Sequence, residues 1–233
     1  MAMHRLSLGL VAFVLLAFPS IAARAADCGS LASPKLDWQE CTKKNLMLQG
    51  SDLEGANLSG TDFSLTDLGG ANVKAANLEK ATLMRASLEG ASAEGANFAK
   101  IEAYRSSFAN ITADGASFAG AELQRANFTG ARLSGTSFEK AELGRANFDK
   151  AVLTGAKFSF ANLSRADLSG ATFEGPAMFD RAFMFLTRIE GLDLSAATGL
   201  EQAQLELACG DASTKLPAGL STPSAWPCPA EQD

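Results

Sequence analysis

A chain of 233 residues, 47% hydrophobic and 20% charged, has the composition of a soluble globular protein with enough apolar material for a core. Its formal charge of −6 argues against a surface built to bind nucleic-acid phosphates. One histidine, His4, and four cysteines narrow the available chemistry further.

Residues 1–25 read as a secretory signal. Met1 to Arg5 is short and basic, Leu6 to Phe18 is almost wholly apolar, and Pro19 interrupts the run. Ala23-Arg24-Ala25 places small residues where a signal peptidase reads, so cleavage is expected before Ala26. The alternative, an uncleaved anchor, is disfavoured because the apolar run is short and broken. Asp27 stands where a small residue would precede a lipidated Cys28. Without Arg5 and Arg24, 18 basic residues face 26 acidic ones, a net charge of −8. The expectation is an exported chain with no stable membrane insertion after cleavage.

Residues 26–45 read as an N-terminal cap. The stretch "CGSLASPKLDWQEC" (28–41) carries Leu36 and Trp38 between two cysteines.

Residues 46–185 hold the main signal. From Leu48 to Phe183 every fifth residue is apolar, 28 units in a single register. A small residue precedes it by two places, as Ala126 precedes Phe128. Period five fits neither a helical stripe, which needs 3.6, nor a flat strand, which needs 2. A chain that bends once per unit satisfies it: each unit is a short extended side plus a corner, and the large residue points inward. Glycine recurs at the last place of the unit, as in Gly55, Gly60, Gly130 and Gly135, where turn dihedrals cost it little. Asn or Asp often precedes the large residue, as in Asn57, Asp62 and Asn127, placed to bond turn backbone. From Phe98 to Phe158 every tenth residue is Phe, which requires an even number of sides per coil. Where the large position shrinks to Ala103 and Ala113, the place two earlier grows to Ile101 and Ile111, an exchange that conserves volume. Ala91-Ser92-Ala93 stays small throughout, with Phe98 as its filler.

The units "ANLSG" (56–60), "ANFTG" (126–130) and "ADLSG" (166–170) resemble those of the pentapeptide-repeat proteins. The resemblance implies an all-β fold: a right-handed, quadrilateral parallel β-helix, four units to the coil. Seven coils at ~4.8 Å give a solenoid on the order of 30 Å long. Phe98, Phe118, Phe138 and Phe158 then stack on one side, with Phe108, Phe128 and Phe148 opposite.

Residues 186–233 read as a C-terminal cap. Ile189 and Leu194 restart one residue out of register. In "TGLEQAQLELACG" (198–210), Thr198 and Glu201 suggest a capping box and Gly210 a stop, for a short α-helix burying Leu200, Ala203 and Leu207. The ending "ACGD…TKLPAGL…WPC" also looks like the tail of many exported bacterial members of the family. Four cysteines, Cys28, Cys41, Cys209 and Cys228, allow three pairings. If the middle is a stiff rod, its ends cannot meet and only Cys28–Cys41 and Cys209–Cys228 remain, which an oxidising compartment permits.

No catalytic, cofactor or metal residue is assigned. Loss of His4 with the signal removes histidine chemistry from the mature chain. Asp62, Asp67, Glu122 and Glu142 sit where units face solvent, whereas a carboxylate hydrolase needs an acid in a cleft. The Asn-x-Ser/Thr matches at Asn57, Asn110, Asn127 and Asn162 follow from the repeat itself, and Tyr104 reads as rim packing. Three functions remain. The first is a non-enzymatic bacterial module, periplasmic or secreted, that binds a protein partner or itself through a face or an end. The second is a DNA mimic, since some family members resemble a duplex and protect topoisomerases. The third is a site hidden in the caps. Residues 48–185 hold 16 acidic and 13 basic residues, a sparse and mixed charge that makes a poor mimic.

Overall fold

The computed structural model describes residues 26–228; the expected signal over 1–25 lies outside them. Parallel backbone bridges join residues 20 apart, from Asp37–Asn57 through Val152–Thr172. A coil therefore holds four five-residue units, and the chain winds as a right-handed quadrilateral parallel β-helix. Each extended side is only a bridge wide. Leu53 N–H donates to Asn72 O at 2.7 Å in the next coil, and Asn57 N–H reaches back to Leu36 O at 2.9 Å. The corner closes with Ala56 N–H on Leu53 O at 3.1 Å.

Corners impose the spacing. From Lys35 to Arg165 the last residue of every unit is left-handed, with φ between +51° and +71°. Glycine accepts this freely; at Gly130 a Cβ would also lie 2.5 Å from Asn110 Oδ1. Many corners are nevertheless lysine or arginine, at a strain of roughly 1 kcal/mol each. The corner N–H still bonds the next coil, as Arg105 does to Gln124 O at 3.1 Å, which offsets that strain. Asn and Asp before the inward residue brace the turn: Ser64 N–H donates to Asp62 Oδ1 at 3.0 Å and Thr129 N–H to Asn127 Oδ1 at 3.0 Å.

The axis is filled. Phe98 to Phe158 are wholly buried in two columns, with Phe98–Phe118 centroids 4.6 Å apart and Phe128–Phe148 5.0 Å apart. Across the axis rings meet edge to face, as Phe118 and Phe128 do at 5.6 Å and 89°. Both geometries suit the ring quadrupole. The small stretch at 91–93 has an explanation in the coil it begins. Ala93 and Ala103 occupy two opposite sides there, while Phe98 and Phe108 fill the other two, 6.1 Å apart. Where a hydroxyl replaces the usual alanine, it donates to a carbonyl one coil back: Thr61 to Trp38 O at 2.6 Å, Thr136 to Ala113 O at 2.9 Å, Thr187 to Leu163 O at 2.8 Å.

The single register expected to Phe183 ends earlier. After Phe173 an extra residue enters at Glu174-Gly175-Pro176, and bridges change to a 21-residue offset, beginning at Lys157–Met178. Phe179, Met184, Ile189 and Leu194 then point inward, while Met178 and Phe183 are 38% and 51% exposed. In "AMFDRAFMF" large apolar residues occupy both registers, so size alone cannot choose between them. Ala177 and Ala182, the small residues two places earlier, do choose, and Phe179 joins the Phe158 column at 5.3 Å.

The ladder also runs past 46–185 at both ends, beginning at Asp37 and ending with Asp193–Lys215. At the N-terminal end, buried Trp38 and Lys43 are inward residues of the first coil. The Cys28–Cys41 disulfide, with Cα atoms 5.5 Å apart, folds the preceding loop over them. Lys43 Nζ lies 3.7 Å from the Trp38 ring centroid and donates to Cys28 O at 2.7 Å. Burial lowers the Lys43 pKa from its ordinary 10.5, against the pull of Asp27. At the other end α1 spans Gln202–Leu207. Its cap differs from the expected Thr198–Glu201 box: Glu201 is the N-cap, and its N–H donates to Gln204 Oε1 at 2.7 Å. The buried face is Gln204 and Leu205, while Leu207 is exposed. Gln204 is buried with its amide satisfied: Nε2 donates to Ala182 O at 2.9 Å and to Phe179 O at 2.8 Å, which also accepts from Ala182 N–H. Gly210 does not stop the helix, which ends at Leu207; it makes room for Trp226, whose Cζ3 would lie 2.3 Å from a Cβ there. The Cys209–Cys228 disulfide, with Cα atoms 5.3 Å apart, ties the tail beside it.

Candidate interaction surface

Because the interior is occupied by side chains, only the outside of the column can meet another molecule. Outward side chains repeat coil by coil, so a residue type recurring every 20 positions becomes a row parallel to the axis. Asparagines form one such row, with Asn97 Nδ2 donating to Asn77 Oδ1 at 2.9 Å. Two other rows carry charge. Corner residues Arg85, Arg105, Arg125, Arg145 and Arg165 lie on one edge, each bonded through its N–H to the next coil. Beside them, Glu102, Glu122 and Glu142 bridge one another directly. Between the rows lie Met84, Tyr104, Gln124, Gly144 and Ser164. Period five alone does not announce this period-20 charge pattern, although the spacing is legible in the letters.

Several charges of these rows are unpaired among the described residues. Among the described residues, Arg85, Arg125 and Arg145 make no ion pair, and Glu102 and Glu122 have no charged partner. Arg105 lies over the Tyr104 ring at 5.2 Å, and Glu142 accepts a hydrogen bond from Asn162 at 2.8 Å. Several other charges are paired: Asp62 with Lys44 at 2.8 Å, Lys74 with Glu94 at 3.0 Å, Asp114 with Arg132 at 2.9 Å.

The residues singled out in the sequence do not converge on a reaction centre. Asp62 and Asp67 are braced in turns; Asp62 lies three coils before Glu122 on the row that Glu122 and Glu142 share, and Asp67 lies on another side of the column. The shifted carboxylates move the wrong way for a general acid. At Asp114, burial opposes ionisation, but hydrogen bonds from Arg132 and Ser134 outweigh it and hold the group below its ordinary 3.8. Among the described residues no group of three or more His, Cys, Asp or Glu is gathered to hold a metal ion. No helix among them is long and apolar enough to cross a membrane.

The C-terminal cap contains the strongest shifts. Asp193 is held down to about 2 by hydrogen bonds from Lys215 and Ser195. Asp211 is also held down to about 2, chiefly by Ser213, with burial opposing. A depressed pKa adds stability that is present above the unfolded value and lost as pH falls through the folded one. The thermal midpoint should therefore hold steady from pH 8 to about 5 and fall between about 4 and 2. An Asp193→Asn/Asp211→Asn variant should fall less steeply across that window in calorimetry.

Comparison with known proteins agrees with this geometry. A family model described as pentapeptide repeat region matches residues 81–158, and one described as pentapeptide repeats (8 copies) matches 47–83 and 61–99. HetL, a pentapeptide repeat protein of the cyanobacterium Nostoc involved in heterocyst differentiation regulation, is 24% identical. That match covers 82% of this chain and 94% of HetL with a TM-score of 0.50, and it bears on the fold alone. QnrB1, a plasmid-mediated fluoroquinolone resistance protein, is 22% identical over 81% of this chain and 91% of its own, with a TM-score of 0.41. A pentapeptide repeat protein of the Arabidopsis thaliana thylakoid lumen is 32% identical over 48% of this chain and 77% of its own, with a TM-score of 0.33. No functionally curated protein matches the chain.

Proposed function

The chain belongs to the pentapeptide-repeat family, and from that premise we propose that it is a non-enzymatic, exported module that presents a rigid surface to a protein partner. The observation that carries this reading is the filled axis. Phe98 to Phe158 occupy the column from side to side, so recognition falls to the outward rows. Stacked coils hold those rows at fixed spacing, so little ordering entropy is lost when they dock. Both cysteine pairs are joined, as suits an oxidising compartment, and the apolar start of the sequence suits export. A DNA mimic requires a dense negative surface, and an arginine row along one edge is its opposite in sign.

The test has two parts. Expression of the full sequence in a bacterial host should yield an exported protein whose first residue is Ala26. The folded column, used as bait in crosslinking from periplasmic extract, should capture a partner that charge reversals on the Arg85–Arg165 edge release. Retention of the protein in the cytoplasm, or capture indifferent to every outward row, would count against the reading.

A further inference from the structure

We propose that the strip bounded by the arginine and glutamate rows is a dimer interface, in which two columns lie side by side and parallel about a two-fold axis running along their length. This rests on the module reading above and names its partner as a second copy of the chain.

Charge on this strip is left unpaired among the described residues. Like charges stacked at strand spacing repel. Arg85, Arg125 and Arg145 make no ion pair among the described residues, nor do Glu102 and Glu122. Both rows repeat once per coil, so their spacings are identical by construction. At three consecutive levels, Glu102/Arg105, Glu122/Arg125 and Glu142/Arg145, the two signs sit on either side of a central line through Tyr104, Gln124 and Gly144. A two-fold axis above that line and parallel to the column exchanges the rows. Each arginine then meets the glutamate of the same level in the other copy. An antiparallel pair would set arginine against arginine instead.

A second observation points to the same strip. Its ends are apolar and exposed: Leu65 and Met84 below the charged levels, Phe183, Phe185 and Leu207 above them. Phe183 and Phe185 are 51% and 42% exposed, with ring centroids 6.4 Å apart and ring planes nearly parallel. Half of the exposed large apolar side chains of the described residues thus fall on one strip. From the level of Leu65 to that of Leu207 it runs about 34 Å at ~4.8 Å per coil, long enough for a standard interface. In the parallel arrangement Phe185 meets Phe185, so apolar ends meet as charges pair. A free polyanion fits less well, because the glutamate row would repel it at each arginine level.

The experiment uses the whole mature chain. Sedimentation at low salt should show a concentration-dependent dimer that dissociates as salt rises from about 0.05 to 0.5 M. Arg125→Glu alone and Glu122→Arg alone should each weaken dimerisation roughly 10–100-fold, and the two together in one chain should restore it. That rescue separates pairing across the interface from a folding defect. All native cysteines are in disulfides, so an added cysteine is the single free thiol. Gln124→Cys and Ser164→Cys should each form a homodimeric crosslink on oxidation. Crosslinking of Gln124→Cys without Ser164→Cys would mean an antiparallel pair and would overturn the proposal. So would a chain that stays monomeric at low salt, and equally a monomer that binds a heparin-like polyanion through Arg125. Failure to dimerise would leave capture of another protein as the separate test of the module reading.

Discussion

Phe128→Ala should destabilise the column by about 3–5 kcal/mol, the range for emptying a large aromatic site in a packed core. The ring is wholly buried, stacked on Phe108 at 4.9 Å and Phe148 at 5.0 Å, and met edge-on by Phe118 and Phe138 at 5.6 Å each. Truncation removes four ring contacts at once. Every coil is pinned by bridges above and below, so the backbone cannot collapse into the space. Phe128→Leu should recover about half of the loss by refilling volume without the edge-to-face geometry. Denaturant unfolding measures both. A loss below about 1 kcal/mol for the alanine variant would mean the ring is not enclosed as described.

Removing the C-terminal disulfide should have the second large effect. Replacing Cys209 and Cys228 by alanine should cost about 2–5 kcal/mol by releasing the chain constraint. The consequence is greater than that figure implies, because Cys209 is part of the ladder. Its N–H donates to Thr187 O at 2.8 Å and its carbonyl accepts from Ile189 at 2.8 Å. Trp226, two residues before Cys228, donates to Ala208 O at 2.7 Å. When the tail leaves, Ala208 O loses this partner and the outer edge of the last coil is uncovered, a template for another chain. The expected result is a lower midpoint together with aggregation on heating, read by light scattering. Unchanged aggregation would show that α1 alone covers the end.

How far the sequence anticipated this structure can be judged residue by residue. Period five and the phenylalanines at 98–158 located the column and its two ring stacks, because a repeat restates the same local preference in every unit. The register shift after Phe173 was misplaced, since Met178 and Phe183 kept the rhythm of size while Phe179 and Met184 took the interior. Only Ala177 and Ala182 revealed it. The caps were legible as caps but not in detail: Gln204, polar and mid-helix, is buried for two carbonyls that no local pattern announces. The charged rows were visible as letters 20 apart. Their meaning required the coil length, which turns sequence distance into neighbourhood.

The direction of the coil-to-coil hydrogen bonds has a mechanical consequence. They run along the column, and the chain enters at one end and leaves at the other. Tension applied through the termini would load the bonds one coil at a time, like opening a zip, instead of shearing many together. The same molecule, compressed or pressed on a flank, meets a solid pile of rings and bridges. Its build suits a spacer that resists being squeezed, and is ill suited to a tether that must bear a pull.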